Sequence, residues 1–227
     1  MRWQRWALAG SLAVNVAGAS YAVYRLVREP PPRPEHYRMD RMDQLAQLDR
    51  SATAPVRVVM LGDSLTDRGE WHELLAEPSV ANRGIAGDTI RGATARVPTL
   101  ASLDPAIVGV MLGINDLLGG RSVAACVQDY RELLAALERA VPRARIVVQS
   151  VLPVRPPATP PVATIAALNR ELRGLCEAHG CTYVDVHAAL TGPDGLLAPE
   201  LTRDGVHLTG EGYVRWRDVV RPHLTAR

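Results

Sequence analysis

Val56-Arg57-Val58-Val59-Met60-Leu61-Gly62-Asp63-Ser64-Leu65-Thr66-Asp67 is an apolar, β-branched run that stops at a glycine and delivers a serine. An apolar run without alternation describes a strand buried on both faces of a parallel sheet. Gly62 then releases the backbone into a tight turn. A turn at that place holds the hydroxyl of Ser64 at the carboxyl end of the sheet, where open α/β sheets bind their ligands. Ser64 is therefore a candidate nucleophile, provided the chain also supplies a histidine, an orienting carboxylate and oxyanion donors. The competing reading is a serine that merely caps the helix starting near Thr66.

Downstream, apolar runs alternate with helical patterns, the signature of a parallel sheet covered by helices. Strands are expected near Val56–Gly62, Val80–Arg83, Ile107–Leu112, Ile146–Val151 and Tyr183–Val186. Ser122 is placed to cap a helix carrying Val123, Val127, Tyr130, Leu134, Leu137 and Val141, and Val162, Ile165, Leu168, Leu172 and Leu175 form a second stripe. The fold class predicted is α/β, a three-layer flavodoxin-like sandwich with a five-stranded parallel sheet. Pro153 to Pro161 is too proline-rich for helix or strand and leaves the carboxyl edge, as a wall of the pocket or as an uninvolved surface loop.

The 227 residues, 47% of them hydrophobic, suffice for one substantial core but not for two full domains. Net charge is +2 with basic and acidic residues interspersed, so no nucleic-acid partner is expected. No lysine occurs, which excludes Schiff-base chemistry, a Ser-Lys dyad and a P-loop. Cys176, His179 and Cys181 cluster, but no second ligand pair accompanies them, and no metal or other cofactor is expected. A Cys176–Cys181 bridge is compatible with export.

Residues Ala7 to Val27 carry no acidic residue and one arginine, Arg25, near their end, with Arg2 and Arg5 before them and Arg28 directly after. Such a segment is long enough to span a bilayer. Residues 1–28 are read as an N-terminal membrane anchor, the helix continuing past Ala17-Gly18-Ala19 to Val27. A cleaved signal peptide ending at that small-x-small site and a buried helix of the soluble domain are the alternatives. Residues 29–37 form a Pro-rich linker and 38–227 the catalytic domain, placed outside the cytoplasm either on its anchor or secreted. Met39 to Arg50 reads as a short amphipathic helix, packed on the domain or lying on a membrane surface.

Asp204-Gly205-Val206-His207 places a carboxylate three residues before a histidine, close enough to accept from one imidazole nitrogen and leave the other as a base. Asn82-Arg83-Gly84-Ile85-Ala86-Gly87-Asp88-Thr89 and Gly113-Ile114-Asn115-Asp116 follow the second and third strands. Gly87 can bring a backbone N–H close to a bound oxygen and Asn115 can present its amide; with the N–H of Ser64 they would make three oxyanion donors. Arg91 and Arg155 read as solvated surface charges, with recognition of an anionic head group as the sharper alternative.

In combination, Gly62-Asp63-Ser64-Leu65, Gly87, Gly113-x-Asn115-Asp116 and Asp204-x-x-His207 resemble the four blocks of the GDSL, or SGNH, hydrolase family, in order and approximate spacing. The pattern from Asn82 to Thr89 and Trp71 look most like the branch of platelet-activating-factor acetylhydrolase subunits and lysophospholipase-like esterases. The resemblance implies a serine esterase acting on carboxylic esters, of acyl lipid or O-acetylated carbohydrate. Ser64 would be nucleophile, His207 general base, Asp204 its orienter, and Ser64, Gly87 and Asn115 the oxyanion hole. An acyltransferase and a non-catalytic envelope-binding domain are the alternatives.

Overall fold

The computed structural model describes residues 34–51, 54–157 and 162–225. The anchor or signal segment 1–28 lies outside the described residues, and among those described no helix is long and apolar enough to cross a membrane. The chain divides into two compact units, Met1–Tyr37 and Arg38–Arg227, and the sheet with its covering helices belongs to the second.

Five parallel strands, β1 (Val58–Gly62), β2 (Val80–Gly84), β3 (Ile107–Met111), β4 (Arg145–Gln149) and β5 (Thr182–Val184), stand in the order β2-β1-β3-β4-β5. Every residue of β1 and β3 is buried, as their unbroken apolar sequences require. Edge strand β2 instead alternates over its first four residues, with Ala81 and Arg83 buried and Val80 and Asn82 half-buried, before ending on buried Gly84. The chain runs from β1 outward to β2, then crosses back over β1 to β3 and on to β4 and β5, so the order reverses between β1 and β3. That crevice is the topological switch point, where an open α/β sheet has room for a ligand beyond its strand ends. The register pairs Gly62 with both Gly84 and Met111, so the segments after β1, β2 and β3 leave the sheet at one level.

The elements preceding and joining the strands are α1 (Pro34–Ser51), α2 (Ser64–Asp67), α3 (Trp71–Leu75), α4 (Ile90–Arg96), α5 (Ile114–Leu118), α6 (Val123–Ala140), α7 (Val162–His179), α8 (His187–Leu190) and α9 (Gly210–Leu224). Helix α1 starts at Pro34, earlier than the sequence reading, because proline is well suited to a first helical turn whose N–H groups have no intrahelical acceptor. Helix α6 contacts α4 and α7 on one side, and α9 gathers α3 and α8 on the other, completing three layers. Ser122 caps α6 by accepting from Ala125 N, and the stripe Val127, Tyr130, Leu134 and Leu137 is buried as its spacing predicts.

On the α9 side the core is aromatic. Trp71 and Trp216 meet edge to face at 4.7 Å, Trp216 Nε1 donates to Gln149 Oε1, and Trp71 Nε1 donates to Thr66 O. Each indole thus fills volume and satisfies its own polar handle. Cys176, in the last turn of α7, is bridged to Cys181 ahead of β5. Among the described residues no group of His, Cys, Asp and Glu is placed to hold a metal ion.

The serine turn rests directly on β2. A Cβ at Gly84 would come within 2.1 Å of Asp67 N and 2.5 Å of Asp67 Cα, so backbone lies on backbone. Asn82 fastens the contact: its Nδ2 donates to Thr66 O, Asp67 O and Gly69 O, while its Oδ1 accepts from Gly84 N. Asp63 caps α2 by accepting from Leu65 N and is fully buried. Burial pushes its carboxyl up to about 7, against the pull of the Leu65 N–H and with a further push from Asp88 and Asp116.

Two outcomes follow. Gly84→Ala should cost about 3 kcal/mol, because neither backbone can give way; urea unfolding checks this, and an unchanged midpoint contradicts the contact. For Asp63 the folded state holds its proton more tightly than the unfolded one. Its contribution is therefore complete below the unfolded value near 4 and is lost as pH rises to about 7. Asp63→Asn should abolish that downward slope, so variant and wild-type stabilities, measured by urea at pH 4 and pH 8, diverge in favour of the variant at pH 8.

Candidate active site

Ser64 opens α2 at the end of β1 and is only 7% exposed. Its Oγ lies 2.9 Å from His207 Nε2, across 143 residues of sequence. On the far side of the ring, His207 Nδ1 lies 2.6 Å from Asp204 Oδ2. Asp204 Oδ1 also accepts from the backbone N–H groups of Val206 and His207, which winds the loop around the carboxylate and fixes the histidine relative to it. With the Nδ1 proton committed to Asp204, Nε2 is the bare nitrogen facing the serine hydroxyl.

Burial alone would raise the Asp204 carboxyl, but the bonds from the His207 ring and from the two backbone N–H groups outweigh it. They hold the group well below the usual carboxylate range. Its side chain is 54% exposed, so the ionised form is kept by these donors with solvent at hand.

The histidine loop has a rigid backing. Gly205 sits at φ +87°, and a Cβ there would fall 2.1 Å from Arg155 O. Arg155 N donates to Gly205 O, and its side chain donates to Leu197 O and pairs with Asp194. Arg155 is therefore an internal brace, neither a free surface charge nor an open seat for an anion. The stretch after β4 is likewise no uninvolved loop in its first half, since Val151 to Val154 are buried and carry Arg155 against the histidine loop. Arg91 is exposed.

The oxyanion candidates follow β2 and β3. Gly87 has φ +76° with nothing within 4 Å of a would-be Cβ, so its side of the turn is open. Gly113, at φ +121°, turns the chain into α5 and presents Asn115. Asn115 Nδ2 donates one hydrogen to Asp88 O at 2.9 Å, leaving the second for another acceptor. Asp116 is turned the other way, its Oδ2 accepting from Ile90 N at the start of α4, and burial raises its pKa. Ser64 N belongs to the first helical turn, where N–H groups lack intrahelical acceptors. Ser64, His207 and Asp204 are thus joined directly, while Asn115 is joined to the Gly87 turn through Asp88.

Sequence reasoning did not find the residues that tie these pieces together. Arg96 is 6% exposed and donates to Gly62 O, Arg83 O and Asp88 Oδ2, linking the ends of β1 and β2 to the Gly87 turn. Tyr213 reaches from α9 to donate to Leu65 O behind the serine. An arginine and a tyrosine inside helical patterns carry no local mark of such work; the only signal is that Arg96 falls where α4 should present an apolar residue.

A family model for GDSL-like lipases and acylhydrolases matches residues 60–215. Among solved structures, a protein from Streptococcus pneumonia, provisionally described as a platelet activating factor, superposes with a TM-score of 0.76 at 20% identity, covering 92% of this chain and 99% of its own. A GDSL-like lipase from Bacteroides thetaiotaomicron gives 0.69 at 24% identity over 80% and 96%. A carbohydrate esterase of family 3 from Talaromyces cellulolyticus gives 0.61 at 24% over 74% and 96%. No curated protein matches the sequence. The structural likenesses concern the fold, whereas the family match spans the serine turn, both oxyanion turns and the Asp204–His207 loop, and on it the chain belongs to the GDSL-like lipase/acylhydrolase family, a family of ester hydrolases.

Proposed function

We propose that the protein is a serine esterase that cleaves carboxylic esters through an acyl-enzyme on Ser64. The observation that carries this reading is the unbroken line Ser64 Oγ, His207 Nε2, His207 Nδ1, Asp204 Oδ2, with separations of 2.9 Å and 2.6 Å at its two hydrogen bonds. Ser64 Oγ adds to the ester carbonyl carbon as His207 Nε2 takes its proton. The imidazolium that forms is stabilised by the Asp204 carboxylate, which stays ionised. Negative charge on the carbonyl oxygen is met by Ser64 N, Gly87 N and Asn115 Nδ2, each worth roughly two to three powers of ten in rate. His207 then gives its proton to the departing alcohol, and water, deprotonated by the same nitrogen, releases the acid.

Two ester classes are proposed, acyl lipids and O-acetylated carbohydrates. A lipase of the same fold and a carbohydrate esterase of the same fold support each in turn. We place the domain outside the cytoplasm, carried there by the apolar segment 7–27 as a membrane anchor or export signal. The Cys176–Cys181 bridge supports this, because disulfides persist in oxidising compartments.

Full-length protein in detergent should release p-nitrophenol from esters between acetate and palmitate. Ser64→Ala should lower turnover by about 10⁶, as where a triad acts as a unit. Turnover unchanged by that substitution would remove Ser64 from the mechanism. A preference for short acyl chains selects the acetylated-carbohydrate class and a preference for long ones the lipid class, while acyl transfer to an added sugar would make the protein a transferase. Asp204→Asn keeps the shape but loses the charge and the enforced tautomer, and kcat should fall by about 10⁴ at pH 7. Its thermal midpoint at pH 7 should fall only modestly, since the donors that favour the ionised carboxylate act on a group that stands half in solvent.

A further inference from the structure

The Gly87 turn is held from a direction that the esterase reading does not use. Asp88 is completely buried, its N donates to Ile85 O, and its O accepts from Asn115 Nδ2. Its main chain therefore follows one oxyanion donor and orients another. Its side chain lies between two guanidinium groups: Arg96 Nε is 2.9 Å from Oδ2, and Arg38 Nη2 is 3.1 Å from Oδ1. Arg96 anchors the inner side to the strand ends. Arg38 comes from α1, before the segment that the family model matches.

Three features show that this reach is built in. Gly92 provides the space, because a Cβ there would fall 2.1 Å from Asp88 Oδ1 and 2.5 Å from Arg38 Nη2. Helix α1 is seated by further contacts of the same kind: Arg41 pairs with Asp67 and donates to Gly84 O, and Asp49 pairs with Arg83 with both side chains buried. Leu45 is buried on the same side, whereas Met39 is 68% exposed, so the helix turns charge toward the domain and methionine to solvent. That arrangement inverts the usual amphipathic one. It also explains why a hydrophobic stripe was a poor guide to how α1 packs.

We infer that Arg38 is a positioning residue for the oxyanion hole, acting through Asp88 to fix the Gly87 N–H and the Asn115 amide. The inference rests on the esterase reading of the same site. Its strength lies in geometry: a donor displaced by about 1 Å can cost up to 10²-fold in rate.

The test uses the full-length protein and four variants, Ser64→Ala, Arg38→Gln, Arg38→Lys and Gly92→Ala, with p-nitrophenyl ester kinetics and amide hydrogen exchange over residues 85–90. Arg38→Gln should lower kcat about tenfold with KM within twofold of wild type, and should speed exchange in that segment. Arg38→Lys, which keeps one charged donor, should restore most of kcat. Gly92→Ala favours the helix but closes the passage, and should reproduce the Arg38→Gln phenotype. Wild-type kcat and exchange in Arg38→Gln would overturn the inference, as would a loss that Lys does not rescue and that follows a fall in thermal midpoint. If hydrolysis proves independent of Ser64, the esterase reading falls, and the exchange rates alone still decide whether Arg38 holds the turn.

Discussion

The last carbonyls of a parallel strand outrun the regular ladder and need further donors: Gly62 O accepts from Ile85 N and has a second lone pair to satisfy. At the carboxyl ends of β1 and β2 the fold answers with one buried guanidinium. Arg96 takes Gly62 O and Arg83 O, and its remaining Nε is given to Asp88. A buried polar group left unpaired is costly, and a buried charge more so, hence the pairing with a carboxylate that is itself fully enclosed. Burial lowers the Arg96 pKa, and Asp88 opposes that fall. Every part of the proposed site at this edge leans on that group: Gly62 begins the serine turn, Arg83 precedes the Gly84 contact beneath it, and Asp88 begins the support of Asn115.

That dependence explains what the sequence made legible and what it did not. The run Val58 to Leu61 is buried on both faces, and a strand so enclosed has no polar face to obscure it, so its period and end are plain. The stripes of α6 and α7 are equally plain, because each presents one face to the core. Ser64, Asp204 and His207 were legible because their chemistry requires rare residue types beside glycine turns. Arg38, Asp88 and Arg96 were not, because their significance lies in pairings across 50 and 8 positions. In the sequence each is one more charged residue among many. Arg155 was misread for a related reason: its partners, Leu197 O and Asp194, arrive from a loop about 40 residues on.

The carboxylates around the serine are sorted by environment rather than by type. Asp63 and Asp116 are buried, and each has one oxygen with no hydrogen-bond partner among the described residues, so burial pushes both toward the neutral form. Asp204 stands at the rim, and three donors from its own loop pull it the other way. In the proposed mechanism only an acid of the second kind can stabilise the imidazolium, because it must be negative at the moment His207 becomes positive. A buried orienter would have been a weaker choice here: with Asp63, Asp88 and Asp116 already enclosed nearby, a fourth buried carboxylate would have met the same repulsion that raises Asp63. Placing it in a loop at the solvent edge, braced from behind by Arg155, keeps its charge and its geometry together.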